Sequence, residues 1–122
     1  MTPSPRKAFL VSHTHWDREW YQTFNRFRVH LLDVVDRVLD ALDHDPDFRS
    51  FVCDGQSAVL EDYLDSAPHQ RDRVTRLVRE GRLAAGPWYI LPDEFLVSGE
   101  ATVRNLIFGR KAAPLGRVQQ VG

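Results

Sequence analysis

The stretch AFLVSHTHWDREWY, Ala8 to Tyr21, passes from four apolar residues into ten that hold two histidines, an aspartate, an Arg-Glu pair, two tryptophans and a tyrosine. A continuous apolar run closed by polar residues predicts a short buried strand over Lys7 to Ser12. In parallel α/β architectures ligands meet the loops at the carboxyl ends of strands. The stretch therefore predicts a fold element and a site together.

Working outward, Leu31, Val35, Val38 and Leu42 recur at helical spacing, widened by Leu32, Val34 and Leu39, with aspartates and Arg37 on other faces. This helix starts near Asn25 to Arg28 and stops before Asp45-Pro46, because a residue preceding proline disfavours the helical region. Phe48 to Cys53 predicts a second strand, ended by Asp54-Gly55, and Ser57 to Leu64 a helix broken at Ala67-Pro68. His69 to Glu80 predicts another helix, carried inward by Val74, Leu77 and Val78 and ended by Gly81. Leu83 to Ile90 reads as a third strand, interrupted at Gly86-Pro87. Ser98 caps a helix with Glu100 that runs to about Lys111 on Val103, Leu106 and Ile107. Val118 to Val121 reads as the start of a fourth strand.

The alternation of strands and helices implies parallel strands, right-handed crossovers and outer helices. The fold class is α/β: the N-terminal part, about three to four βα units, of a barrel or open sheet. Residues 1–122 are expected to be a partial domain that stops before any closing element.

Composition narrows the function. The chain is 43% hydrophobic and 27% charged with a formal net charge of −1, which gives no electrostatic case for nucleic acid or an anionic membrane. Basic residues from Arg71 to Arg82 are interrupted by Asp72 and Glu80 and predict a solvated helix face. The single Cys53 excludes an internal disulfide. No segment approaches the ~18 consecutive apolar residues of a membrane span, and Met1 to Lys7 is polar and proline-rich, unlike a secretory signal. A cytoplasmic location is the default expectation.

Each strand end carries chemistry: His13, His15 and Asp17 at the first, Asp54 at the second, Asp93 and Glu94 at the third. Neighbouring strands lie ~4.8 Å apart, so these groups can converge on one ion. In an extended chain alternate residues face one side, which aligns His13, His15 and Asp17. Imidazole nitrogen with carboxylate oxygen suits zinc or a similar divalent ion. A lone histidine at a strand end usually only hydrogen-bonds a backbone carbonyl; three groups in register, joined by Asp93, reverse that preference. His30, His44 and His69 receive no ligand role. Asp54 in an Asp-Gly turn serves turn geometry or a functional contact equally well. Trp16 is expected in the core. Trp20 and Trp88 fit as flat walls of a pocket, since sugars present apolar C–H faces. Arg18 and Glu19 are expected to pair and hold the loop.

His13-Thr14-His15-Trp16-Asp17-Arg18-Glu19-Trp20-Tyr21, Cys53-Asp54-Gly55-Gln56 with Leu60-Glu61-Asp62-Tyr63-Leu64, and Gly86-Pro87-Trp88-Tyr89 with Leu91-Pro92-Asp93-Glu94 and Ser98-Gly99-Glu100 together resemble glycoside hydrolase family 38. The nearest likeness is to its bacterial branch of α-mannosidases, which includes mannosylglycerate hydrolase. The matches keep order and spacing over nearly all of Phe9 to Gly109. The resemblance implies a (β/α)7 barrel and a zinc-dependent retaining α-mannosidase acting on mannose-containing carbohydrates. It implies that His15, Asp17 and Asp93 bind zinc, that Asp93 is also the nucleophile, and that Trp20 stacks on the sugar, with Trp88 and Asp54 kept as substrate-binding candidates. His13 opens the motif without being the ligand and is expected to support those that are; alternation alone does not separate it from His15.

The resemblance also implies a fourth ligand, a histidine far downstream, and a general-acid aspartate, neither within these residues. The chain alone is therefore expected to be inactive, a segment of a full enzyme or a truncated reading frame, with an open strand edge that invites self-association. Two other classes remain: a metal-dependent deacetylase or hydrolase on a related barrel, and an inert metal-binding segment. A deacetylase would use metal-bound water as nucleophile, so Asp93→Ala would abolish glycosyl-enzyme trapping only in the mannosidase.

Overall fold

Leu31, Val35, Leu39 and Leu42 form the buried stripe of α1 (Phe24–His44) in the computed structural model, which describes residues 6–112. The helix ends where Asp45 turns extended and its Oδ1 accepts the N–H of Asp47 at 2.9 Å and of Phe48 at 3.3 Å. Then follow β1 (Phe51–Val52), α2 (Ala58–Ser66), a 3-10 turn (Pro68–Gln70), α3 (Arg71–Arg79), β2 (Leu83–Ala84) and α4 (Gly99–Ala112). The end of α3 is sealed by two bonds across Gly81, which takes φ 73°: Arg82 N–H to Leu77 O at 2.9 Å and Gly81 N–H to Val78 O at 3.1 Å. This is the Schellman pattern, and the left-handed residue it needs explains the glycine.

β1 and β2 pair in parallel, Phe51 opposite Leu83 and Val52 opposite Ala84. On the other edge of β1 the segment around His13 also runs parallel: Val52 N–H reaches Ser12 O at 3.0 Å and Thr14 N–H reaches Val52 O at 3.2 Å. Three segments thus lie side by side in chain order, with helices between them, as alternating elements demand. The class is α/β with a small parallel sheet.

The core lies between this sheet and the helices. The α1 stripe meets Val59, Leu60, Tyr63 and Leu64 of α2, Val74 and Leu77 of α3, and Leu83 and Cys53. Full burial of each large apolar side chain contributes about 1.5–3 kcal/mol. Polar seams tie the helices: Tyr63 OH donates to Asp36 Oδ1 at 2.5 Å, and Arg73 and Arg76 of α3 grip Asp43 of α1 at 2.6 and 2.5 Å. The Arg71–Arg82 run is therefore partly an ionic clasp rather than a purely solvated face. Among the described residues no helix is long and apolar enough to cross a membrane.

The strands are shorter than expected. Lys7–Ser12 is not a buried strand: pairing is confined to His13, and Phe9, Leu10 and Val11 are exposed. A parallel strand is buried only when both its faces are covered; among the described residues nothing covers the side chains of Phe9 and Leu10. Leu83–Ile90 narrows to Leu83–Ala84, because Gly86 takes φ 83° and leaves the extended region; pairing resumes only as a lone bridge between Gln56 and Trp88. Val103 and Ile107 of α4 are exposed, and the helix buries Gly109 instead. The expected strand over Val118–Val121 lies outside the described residues.

Candidate active site

At the end of β1 the chain reverses through Cys53-Asp54-Gly55-Gln56. Asp54 and Gly55 take φ 43° and 71°, and Gln56 N–H returns to Cys53 O at 2.8 Å. Two successive left-handed residues closed by that bond make a type I′ turn. The turn aims the Asp54 carboxylate at the first strand end. Asp54 Oδ2 lies 2.6 Å from His15 Nδ1, and Oδ1 lies 3.8 Å from His13 Nδ1. His15 Nε2 in turn lies 3.6 Å from Asp17 Oδ1. Of the two alternatives left open for Asp54, the turn is realised, and its carboxylate also meets two histidines.

A carboxylate oxygen accepts, so His15 Nδ1 donates, and in the neutral ring with that tautomer Nε2 carries the lone pair. That lone pair and the Asp17 carboxylate form a two-donor corner. Ligand atoms bound tetrahedrally at ~2.0–2.1 Å from one ion lie roughly 3.4 Å apart, so the 3.6 Å separation suits a shared divalent cation.

The third expected ligand stands apart. Asp93 lies exposed in the turn before α4, where its carbonyl accepts Leu96 N–H at 2.8 Å. Among the described residues its side chain makes no ion pair, and no three His, Cys, Asp or Glu side chains converge on one point. The structure thus joins His13, His15, Asp17 and Asp54 and does not bring Asp93 to them.

Trp20 is 73% exposed beside this corner's loop. Trp88 is half-buried and locked by its backbone, its carbonyl accepting Ser57 N–H at 2.9 Å and Ser57 Oγ–H at 3.0 Å. Trp16 packs edge-on against Phe27 at 5.8 Å, in the core role expected of it. Cys53 is fully enclosed, and loss of solvation pushes its thiol up to about 12, so it is no nucleophile.

Arg18 does not pair with Glu19. It forks onto Asp62 of α2 with two bonds of 2.7 Å and lies over the Phe24 and Tyr89 rings, 5.2 and 5.9 Å from their centroids. Asp62 carried a readable signal: a carboxylate between Leu60, Tyr63 and Leu64 on a buried helix demands a cation. Asn105 was also missed, and nothing local marks it. Its Oδ1 accepts the N–H groups of Tyr89 and Ile90 at 2.8 and 3.0 Å, fixing the segment that leads to Asp93.

Parallel segments whose ends present imidazole and carboxylate together define a parallel α/β domain with a histidine–carboxylate corner. Residues 5–113 match the model of the glycosyl hydrolases family 38 N-terminal domain, and the chain belongs to that family. A Halalkalibacterium halodurans protein that carries the provisional name mannosylglycerate hydrolase is 49% identical over 106 residues, 87% of this chain and 12% of that protein. Alpha-mannosidase 2 of Arabidopsis thaliana is 29% identical over 93 residues, 72% of this chain and 8% of its own. The crystal structure of an alpha-mannosidase from Enterococcus faecalis V583 superposes with a TM-score of 0.79 at 46% identity, covering 84% of this chain and 12% of that one. The chain therefore spans about an eighth of the length of the Halalkalibacterium and Enterococcus proteins.

Proposed function

We propose that residues 1–122 are the N-terminal part of the catalytic domain of a zinc-dependent retaining α-mannosidase built on a (β/α)7 barrel. The observation that carries this is the His15–Asp17 corner: Nε2 and Oδ1 3.6 Å apart, with His15 Nδ1 bonded to Asp54. The relatives named as alpha-mannosidases support the substrate class.

His15, Asp17 and Asp93 would hold the zinc. When bound, the ion supplies Lewis acidity towards ring hydroxyls and helps orient the mannose. Asp93 attacks the anomeric carbon, forming the ester bond as the glycosidic C–O bond breaks. A second carboxylic acid, ~5 Å away and supplied by residues downstream, protonates the leaving oxygen. Water then cleaves the ester, and the anomeric configuration is retained. The exposure of Asp93 suits attack on an incoming sugar. Trp20 stacks on the apolar face of the ring and Trp88 lines the pocket beside it. Residues 1–122 alone are inactive in this reading, and the open edge at Ser12–Thr14 lets them self-associate. A cytoplasmic setting without nucleic-acid or membrane partners completes the proposal.

The test measures zinc content and aryl α-mannoside hydrolysis for residues 1–122 and for the chain extended to the length of its relatives. The extended form should bind zinc, lose turnover to a chelator, regain it with zinc, and fall to background with Asp93→Ala. An extended form with neither zinc nor α-mannosidase turnover overturns the proposal. Robust turnover by residues 1–122 alone overturns the claim that they are inactive.

A further inference from the structure

We infer that Asp54 is a positioning residue: its carboxylate holds the His15 and His13 rings so that His15 Nε2 faces Asp17, and it does not contact the sugar. This rests on the zinc reading above and assigns a task within it that the family resemblance leaves open.

The backbone supplies the first argument. Asp54 sits at φ 43°, in the left-handed region that aspartate enters more readily than most side chains and glycine most readily of all. Glycine would make the same turn with less strain, so what the position gains from aspartate is the carboxylate. The turn is also held from both sides. Gly55 O accepts Trp88 N–H at 3.1 Å from the third strand segment, and the buried Gln56 side chain donates to Trp16 O at 3.4 Å on the first. The turn is clamped to both neighbouring strand ends, which makes Asp54 a fixed post.

Geometry supplies the second. The Asp54 carboxylate spends its short contact on His15 Nδ1, at 2.6 Å, the ring nitrogen opposite the donor that faces Asp17. Its other oxygen faces His13, at 3.8 Å. A carboxylate on the far nitrogen fixes the tautomer and ring orientation of a metal-binding histidine and raises its basicity, and losing such a partner lowers metal affinity about 10- to 100-fold.

The experiment uses the full-length gene product with Asp54→Gly and Asp54→Asn. Glycine keeps the turn and removes the carboxylate; asparagine keeps the size and tolerates the left-handed backbone but is neutral. Zinc affinity is measured by chelator competition, metal-free folding by thermal melting, and KM for an aryl α-mannoside at saturating zinc. Asp54→Gly should bind zinc about 10- to 100-fold more weakly, with Asp54→Asn between it and the parent. Both should melt cooperatively without metal and keep the parent's KM once zinc is saturating. Unchanged zinc affinity in both variants overturns the inference alone. So does a raised KM with zinc affinity intact, which would put Asp54 on the sugar. A parent protein that binds no zinc overturns the zinc reading and this inference with it.

Discussion

Arg18 and Asp62 form a two-pronged ion pair, Nε to Oδ2 and Nη2 to Oδ1, both at 2.7 Å, across 44 positions of chain. The Asp62 side chain is 6% exposed and that of Arg18 32%. Because Arg18 directly follows Asp17, this pair sets where the His15–Asp17 corner stands relative to α2. The hydrogen bond to Asp62 also raises the Arg18 pKa above its ordinary value, so the cation is permanent.

Removing Arg18 leaves the Asp62 carboxylate buried and uncompensated. Arg18→Ala should therefore destabilise the protein by about 3–5 kcal/mol, the range for breaking one side of a buried pair. Arg18→Lys should lie between, since lysine keeps the charge but not the planar fork. Denaturant midpoints measure both. A change within about 0.5 kcal/mol for Arg18→Ala, typical of a surface substitution, would show that the pair is not structural.

Trp20 should separate binding from folding. Its ring is exposed, so Trp20→Ala should change stability by less than about 0.5 kcal/mol. Lost stacking on the sugar should raise KM for an aryl α-mannoside in the extended protein by about 10-fold, the equivalent of ~1.4 kcal/mol. An unchanged KM would remove Trp20 from the pocket.

These residues also show what could be read from sequence. The limits of α1 and the end of α3 were legible because their signals are local: leucine and valine spacing, Asp45-Pro46, and a glycine at the left-handed position 81. The Asp-Gly turn was equally plain. Its purpose was not, because Asp54 meets His15 from 39 positions away. Strand lengths were overestimated for the same reason. Whether Phe9–Val11 is buried depends on neighbours rather than on its own apolar run. Asp93 was singled out by its place after an expected strand, and side-chain convergence with His15 is a property of packing that local pattern does not contain.

Asp43 provides a pH test of the clasp between α1 and α3. Hydrogen bonding from Arg76, reinforced by Arg73, holds its carboxyl below the usual value. A depressed carboxylate adds stability above its unfolded pKa, near ~3.9, and that stability is lost as pH falls through the lower folded value. The parent should be more stable than Asp43→Asn at neutral pH, and the gap should close as pH drops below about 4. Urea midpoints of both proteins across this range measure it. A gap that persists unchanged into acid would mean that the clasp acts through packing rather than charge.

Gly109 tests how α4 holds the segment that carries Asp93. It is the residue α4 buries, and a Cβ there would stand 2.5 Å from Trp88 C and 2.6 Å from Tyr89 N, with the Pro87 carbonyl closer still. In an open helix Gly→Ala would stabilise by about 1 kcal/mol. Here the backbone of residues 87–89 cannot yield as a flexible side chain would, so α4 must move away, at a cost typical of overpacking, about 1–3 kcal/mol. Moving it pulls Asn105 from the N–H groups of Tyr89 and Ile90 and loosens the approach to Asp93. Gly109→Ala should therefore lower both the melting temperature and kcat/KM of the extended protein. Gly99→Ala, whose Cβ meets nothing within 4 Å, is the matched control and should lower neither. Equal behaviour of the two variants would mean that α4 does not position this segment.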